Sequence, residues 1–248
     1  MKEWKITALQ TGSLEMEKSI GTYLKDNGTV VIIPTVSFLL EEVGGPGKIM
    51  VDTGFESVER TERVQRQKAF RTDDQKLDVL LRDRGVDPGK IETVILTHLH
   101  FDHSGNNGLF PNAEFYVQDE ELRYAFVPLP DELEPYFSPL IDEKPSFWGT
   151  PFRRIGGDRE ICDGVQVMLT PGHTPGGQTV LVNTSGGTYA LAGDNVFFYE
   201  NVEENIPPGH IYSRADWFYS MERVKSRADH IVPSHDMLVF RKKPAVFP

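Results

Sequence analysis

Short apolar runs, each closed by a turn residue or a polar side chain, recur along the whole chain. WKITAL at residues 4–9 predicts a first strand. Residues 30–33 and 37–43 predict two more, separated by Pro34, which cannot donate to a ladder. Gly44, Gly45 and Gly47 then read as a hairpin turn, since no GxxxxGK[ST] or GxGxxG spacing makes them a phosphate loop. KIMVDTG at 48–54 predicts a strand running into an aspartate and a glycine turn. Residues 56–71 are dense in Glu, Arg and Gln with a weak apolar pattern, which suits either a helix or a mobile lid. Residues 73–84 read as a helix, with Leu77, Leu80 and Leu81 on one face and a stop near Gly85 and Pro88.

The second half repeats this style. ETVILT at 92–97 and AEFYVQ at 113–118 predict strands, the latter followed by a helix over 119–126. Residues 127–157 are rich in proline, glycine and aromatics; they either wrap the core as irregular backbone or form part of a pocket. Strands are expected in GVQVMLTPGHTPGG at 164–177, TVLVNT at 179–184, TYALAGD at 188–194 and HIVPSHD at 230–236. A helix over 214–227 carries Trp217, Met221 and Val224 at helical spacing, a core stripe. The alternation predicts an α/β fold with polar chemistry at the carboxyl ends of strands, and no solenoid repeat is evident. At 248 residues, one domain over 1–248 buries roughly 70–75% of the surface of the unfolded chain.

Four of these strand ends carry an unusual concentration of imidazole and carboxylate. The first gives His98, His100, Asp102 and His103, the second His173, the third Asp194 and the fourth His235. Both groups are ordinary ligands of zinc and related ions. In extended backbone, residues two apart project to one side, so His98 and His100 can converge on one ion while the following turn presents Asp102 and His103 to a second. Asp194 is the natural bridge, and Asp52 is read as a carboxylate that orients a ligand imidazole. His210 and His230 are read as core or surface histidines. Serine catalysis is the weaker reading, because neither Ser104 nor Ser234 occupies a GxSxG elbow.

Composition narrows the partners. A formal charge of −11 argues against a nucleic-acid surface, and Arg241, Lys242 and Lys243 read as ordinary solvated charge. Cys162 is the single cysteine, which excludes an internal disulfide and favours an intracellular setting. Residues 1–30 lack an export signal, and no run approaches the roughly 20 apolar residues of a membrane span. A cytoplasmic enzyme acting on a small molecule, as a monomer or homodimer, is expected.

The pattern HLHFDH at 98–103, completed by His173, Asp194 and His235 and preceded by DTG at 52–54, resembles the metallo-β-lactamase superfamily. The resemblance implies an α/β, αββα sandwich with two central mixed β-sheets, helices on the outer faces, and the site at the edge where both sheets present their loops. It assigns His98, His100 and His173 to one divalent ion, Asp102, His103 and His235 to the other, and Asp194 to the bridge. The ions would be Zn2+, with Mn2+, Co2+ or Fe2+ as alternatives. THLHFDHSGNN, PGHTPGG and SHD look most like the N-acyl homoserine lactonase branch, implying hydrolysis of a lactone by water activated between two ions, with Asp102 also steering or receiving a proton. The alternatives are a glyoxalase II-like thioesterase, another ester, amide or phosphodiester hydrolase, and a catalytically silent metal-binding module. One departure stands out. The lactonases carry a tyrosine three residues after the bridging aspartate, where this chain has Phe197; Tyr199 and Tyr212 are other donors, off the motif position. Phe101, Phe147, Trp148, Phe197, Phe198, Tyr199 and Tyr212 are the candidate pocket residues.

Overall fold

The first apolar run does not stop at residue 9. In the computed structural model, which describes residues 1–141, 143–241 and 246–248, β1 spans Trp4–Glu17 and pairs antiparallel along its length with β2, Val30–Glu42. Pro34 therefore does not split residues 30–43 into two strands, contrary to expectation. It lies opposite Ser13, close to a bulge between Gln10 and Gly12, and the next strand of the sheet pairs only with residues 38–41 of β2. A proline is tolerated where the ladder is one-sided. Gly12 sits in that bulge with φ 143°, and a Cβ there would lie 2.5 Å from the Phe55 ring. Only glycine lets the hairpin pass so close. Lys242 and Lys243, two of the three charges read as solvated surface, lie outside the described residues.

The glycine turn leads to β3, Lys48–Val51, as expected. Residues 56–71 hold α1, Val58–Gln65, whose cap Ser57 accepts from the Arg60 amide, and β4, Ala69–Phe70, which joins β1. The helix expected over 73–84 is shorter: α2 is Leu77–Arg82, because extended Lys76 separates it from a 3-10 turn at Asp73–Gln75. Then come β5, Thr93–Ile95, α3, Phe101–Ser104, β6, Glu114–Gln118, and α4, Asp119–Phe126. The irregular 127–157 segment ends in β7, Phe152–Ile155. The last third contains β8, Arg159–Cys162, β9, Val165–Leu169, β10, Gln178–Thr184, β11, Gly187–Leu191, α5, Tyr199–Glu203, α6, Arg214–Arg227, β12, His230–Val232, and β13, Val246–Phe247.

Two mixed sheets result. One has eight strands in the order β13-β1-β2-β3-β5-β6-β7 with β4 on β1; the other has five, β12-β11-β10-β9-β8. Their packing follows the period of two along each strand. Ile6, Ala8, Phe38, Leu40, Ile49 and Val51 of the first sheet share a core with Val165, Val167, Val180, Val182 and Leu191 of the second. The intervening Leu9, Leu39 and Met50 join Leu77 and Leu81 of α2. On the far side, Met168, Leu181 and Ala190 meet Val224 of α6. Trp217 and Met221, at 0% and 1% exposed, complete the predicted helix stripe. This is the αββα sandwich, with apolar side chains on both faces of each sheet. Among the described residues no helix is long and apolar enough to cross a membrane.

The same strand supplies a test of this arrangement. Leu39 in β2 is fully buried, whereas Ile32, seven residues earlier, is 59% exposed. Leu39→Ala is expected to cost about 2–5 kcal/mol and Ile32→Ala no more than about 0.5 kcal/mol. Urea unfolding of the two variants decides the point, and equal losses would contradict the assigned faces.

Candidate metal centre

Each of the seven candidate ligands follows the carboxyl end of a strand. His98 and His100 come just after β5, and Asp102 and His103 lie in α3. His173 sits in the turn between β9 and β10, Asp194 in a 3-10 turn after β11, and His235 beyond β12. Gly193, with φ 55°, lets the Asp194 turn approach Thr97, since a Cβ there would stand 2.8 Å from the Thr97 Cβ. None of the seven is more than 7% exposed.

The structure brings all seven together. One potential ligand atom from each of His98, His100 and His173 lies within 4.8 Å of the others, and the same holds for Asp102, His103 and His235 and for His98, His103 and Asp194. Asp194 faces both groups. Its Oδ1 is 3.1 Å from Nε2 of both His103 and His235, and its Oδ2 is 3.6 Å from His173 Nε2 and 3.9 Å from His98 Nε2. The Ser234 hydroxyl donates to Oδ1 at 2.8 Å.

The outer nitrogens of the five imidazoles determine what the inner ones offer. His103 Nδ1 donates to Asp52 Oδ2 at 2.8 Å, His235 Nδ1 to the Pro34 carbonyl at 2.9 Å, and His173 Nδ1 to the His210 carbonyl at 2.8 Å. His100 Nε2 donates to Glu132 Oε2 at 3.1 Å. Thr97 gives its own hydroxyl proton to Asp52 at 2.8 Å, so its oxygen accepts from His98 Nδ1 at 3.1 Å. These partners assign the protons of the neutral rings to the outside, so that each ring in its neutral form has an inward lone pair. His100 Nδ1 and His173 Nε2 then confront each other at 3.1 Å with no proton between them in their neutral forms. Among the described residues, buried Nε2 of His98 and of His103 has no hydrogen-bond partner; the His103 atom is near Asp194 but off the line a hydrogen bond requires. Converging lone pairs, orphaned ring nitrogens and a carboxylate facing both groups fit divalent cations bound by nitrogen and oxygen.

Asp52, read as a carboxylate that orients an imidazole, stands behind His103, one of the candidate ligands. It adopts φ 58° just after β3, a conformation aspartate tolerates better than most residues. Its Oδ1 also accepts the Thr97 amide at 2.7 Å, so one carboxylate fixes the strand end and two imidazoles.

Two residues here escaped the sequence reading. Glu132, 3% exposed, comes from the irregular segment and accepts His100 on one oxygen and His210 Nε2 on the other, at 2.8 Å. His210, read as a core or surface histidine, instead stacks on His100 with centroids 5.8 Å apart and lines the cavity above the ligands. Glu132 lies in an acidic run with no motif spacing, and only the unspent histidine pointed to His210.

That cavity, of about 280 Å³, is walled by Leu14, Met16, Ile33, Val64, Phe101 and Phe197, and reaches His100, Asp102, His173, Asp194 and His235. Phe197 packs against His173 and His235 at 5.6 and 4.8 Å. The other aromatic candidates lie elsewhere. Phe147 is buried in the core between the first sheet and its helices, and Trp148 is 56% exposed beside it. Phe198 packs behind Phe197, Tyr199 packs against the inter-sheet core, and Tyr212 lies edge-on to Tyr124 outside the cavity. Residues 127–157 contribute Asp131, Glu134 and Pro135 to the lining rather than their aromatic end.

Electrostatics follow burial and pairing. Burial opposes a charge on Asp194, yet His235 and His103 hold its carboxyl well below the ordinary range. Burial holds His98 far below the usual imidazole value and His173 at about 3. Burial also disfavours charge on His103 and His235, but the carboxylates of Asp194 and Asp102, with Asp52 beside His103, raise both.

The family profile described as Metallo-beta-lactamase superfamily matches residues 31–235. An N-acyl homoserine lactonase from Bacillus cereus is 28% identical, over 98% of this chain and 91% of its own length; another from a Bacillus species is 31% identical, over 89% and 82%. A solved N-acyl homoserine lactone hydrolase, with the product N-hexanoyl-L-homoserine at its catalytic metal center, superposes with a TM-score of 0.80 at 25% identity, covering 96% of this chain and 95% of that one.

A ligand imidazole must be neutral, so loading the site displaces protons that the carboxylates retain on His103 and His235. Apparent affinity for a divalent ion is therefore expected to rise with pH through neutrality, with protons released on binding. Calorimetric titration in buffers of different ionisation enthalpy measures both. Affinity that is flat with pH, without proton release, would contradict the assignment.

Proposed function

The chain belongs to the metallo-beta-lactamase superfamily, and we propose that it is a lactone hydrolase working through a dinuclear metal centre. The observation that carries this reading is the set of five inward-facing ring nitrogens and two carboxylates at the base of a cavity with one apolar side, Leu14, Met16, Ile33, Val64 and Phe101. The named lactonases among its relatives support the substrate class. His98, His100 and His173 would hold one ion and Asp102, His103 and His235 the other, with Asp194 between them. Charge supports two ions. Asp52, Asp102, Glu132 and Asp194 are buried carboxyl groups whose formal charges match two divalent cations, while burial pushes a fifth, Glu121, toward its neutral form.

Divalent ions in such a site lower the pKa of water toward neutrality and polarise an ester carbonyl. The chain's own residues do the rest. Leu14, Met16, Ile33, Val64 and Phe101 take the apolar part of the substrate and exclude water from it. Asp102 lines the cavity, where it can steer or receive the proton lost by the attacking water. The alkoxide that ring opening leaves on the product would take up the proton that Asp102 received from the water, with ionised Asp194, held by Ser234, beside that transfer. Phe197 has no hydroxyl, so no hydrogen bond reaches the substrate carbonyl from that position.

Turnover by metal-quantified protein on N-acyl homoserine lactones, simple γ- and δ-lactones, aryl esters, thioesters and phosphodiesters tests the reading. Metal-dependent turnover of lactones is expected, with simple lactones favoured by the missing hydroxyl. Preference for thioesters or phosphodiesters would replace it, and silence across the panel would favour a binding module. Metal analysis of the replete protein should find about two ions per chain; a persistent maximum of one would exclude the dinuclear form. Asp102→Asn is expected to lower kcat/KM by at least about 100-fold while the circular dichroism spectrum is retained. Undiminished turnover would remove Asp102 from the mechanism.

A further inference from the structure

Each proposed ion position has one histidine backed by a buried carboxylate: His103 by Asp52 and His100 by Glu132. The two carboxylates are not equivalent. Asp52 spends its remaining capacity on Thr97, within the ligand loop. Glu132 spends its second oxygen on His210, a partly exposed cavity residue. His210 is itself tied to the site from another direction, since its carbonyl accepts His173 Nδ1 and its amide donates to the Ile20 carbonyl at 2.9 Å. Its ring lies flat over His100 and edge-on to His173, at 5.8 and 5.3 Å. Among the described residues, His210 Nδ1 has no hydrogen-bond partner.

We propose that Glu132 is a shared positioning residue: one oxygen fixes the metal-ligating tautomer of His100, and the other holds His210 as the polar wall of the cavity. Ion affinity and the substrate-facing surface are thereby set by one carboxylate. A carboxylate can accept from both rings, whereas the amide of a glutamine has one oxygen and must turn its NH2 toward the other ring. The cavity that hydroxyl-free Phe197 also lines thus acquires a fixed polar group that position 197 cannot provide.

The metal half does not depend on the lactone reading, and the substrate half rests on it. Co2+ titration of the metal-depleted full chain, followed by the visible absorption of the ion, reads the first. Glu132→Gln is expected to weaken binding of one equivalent of Co2+ about 10- to 100-fold. His210→Ala keeps the backbone carbonyl and the Glu132–His100 bond, and is expected to stay within about twofold of wild type. Glu132→Gln at wild-type affinity, or His210→Ala losing as much as Glu132→Gln, overturns the proposal. If Glu132→Gln fails to fold, Glu132→Asp, with its charge withdrawn by one methylene, is judged by the same criterion.

Long-range 15N–1H spectra of zinc-loaded protein supply the second readout. His100 and His210 should each carry a proton on Nε2 in the wild type, and at least one of them should lose that proton position in Glu132→Gln, whose single amide oxygen can serve one ring; both patterns unchanged overturns the shared role. On any lactone the wild type hydrolyses, His210→Ala should raise KM more than it lowers kcat, and an unchanged KM overturns the wall assignment. A wild type that binds Co2+ as expected yet hydrolyses no lactone would sink the proposed function alone, with the titration and the spectra still deciding the role of Glu132.

Discussion

Five imidazole rings point lone pairs into one small buried volume, and the rest of the structure can be understood as the means of holding them there. Neutral rings with their protons outward repel one another and the two carboxylates beside them, so this arrangement calls for positive charge within and acceptors behind. Each acceptor comes from a different part of the fold: Asp52 from the end of β3, the Pro34 carbonyl from β2, the His210 carbonyl from the loop before α6, and Glu132 from the irregular segment. Thr97 stands between His98 and Asp52. A buried polar network is stable only when every member is satisfied. The two sheets, the long β1–β2 hairpin and the 127–157 excursion are all required to complete it.

That dependence explains which parts were legible in the sequence. The seven converging residues are recognisable because imidazole and carboxylate recur at strand ends with the spacing of candidate ligands, and Asp52 because it terminates an apolar strand in the same way. The helix stripe was legible through period, since Trp217, Met221 and Val224 are all buried; Leu39 and Leu40, read only as part of an apolar run, face opposite sides, toward α2 and toward the second sheet. Pro34 misled because its cost depends on whether a neighbouring strand needs its amide, and that is a property of sheet order. Here its carbonyl supports His235, a role invisible to any rule about proline in strands.

Glu132, His210 and the pocket aromatics were illegible for a related reason. A backbone carbonyl or a lone glutamate serves a distant imidazole without leaving spacing in the chain, 32 residues separating Glu132 from His100 and 78 separating it from His210. Aromatic rings are equally suited to core and pocket. Phe147 was drawn into the helix-side core, while Phe101 and Phe197, close in sequence to ligands, were the two that reached the cavity.

The mixture of acceptors has a further consequence. A carboxylate behind an imidazole raises the basicity of its inner nitrogen more than a neutral carbonyl does. Asp52 acts in this way on His103, and Glu132 on His100, one in each proposed ion position; His173 and His235 rest on carbonyls. The buried negative charge is thus spread behind both positions instead of being concentrated at Asp102 and Asp194. The two positions already differ in that Asp102 belongs to only one of them. They also differ in what else engages the carboxylates behind the rings: Glu132 is held by His210 at the cavity wall, whereas Asp52 is held by Thr97 inside the ligand loop.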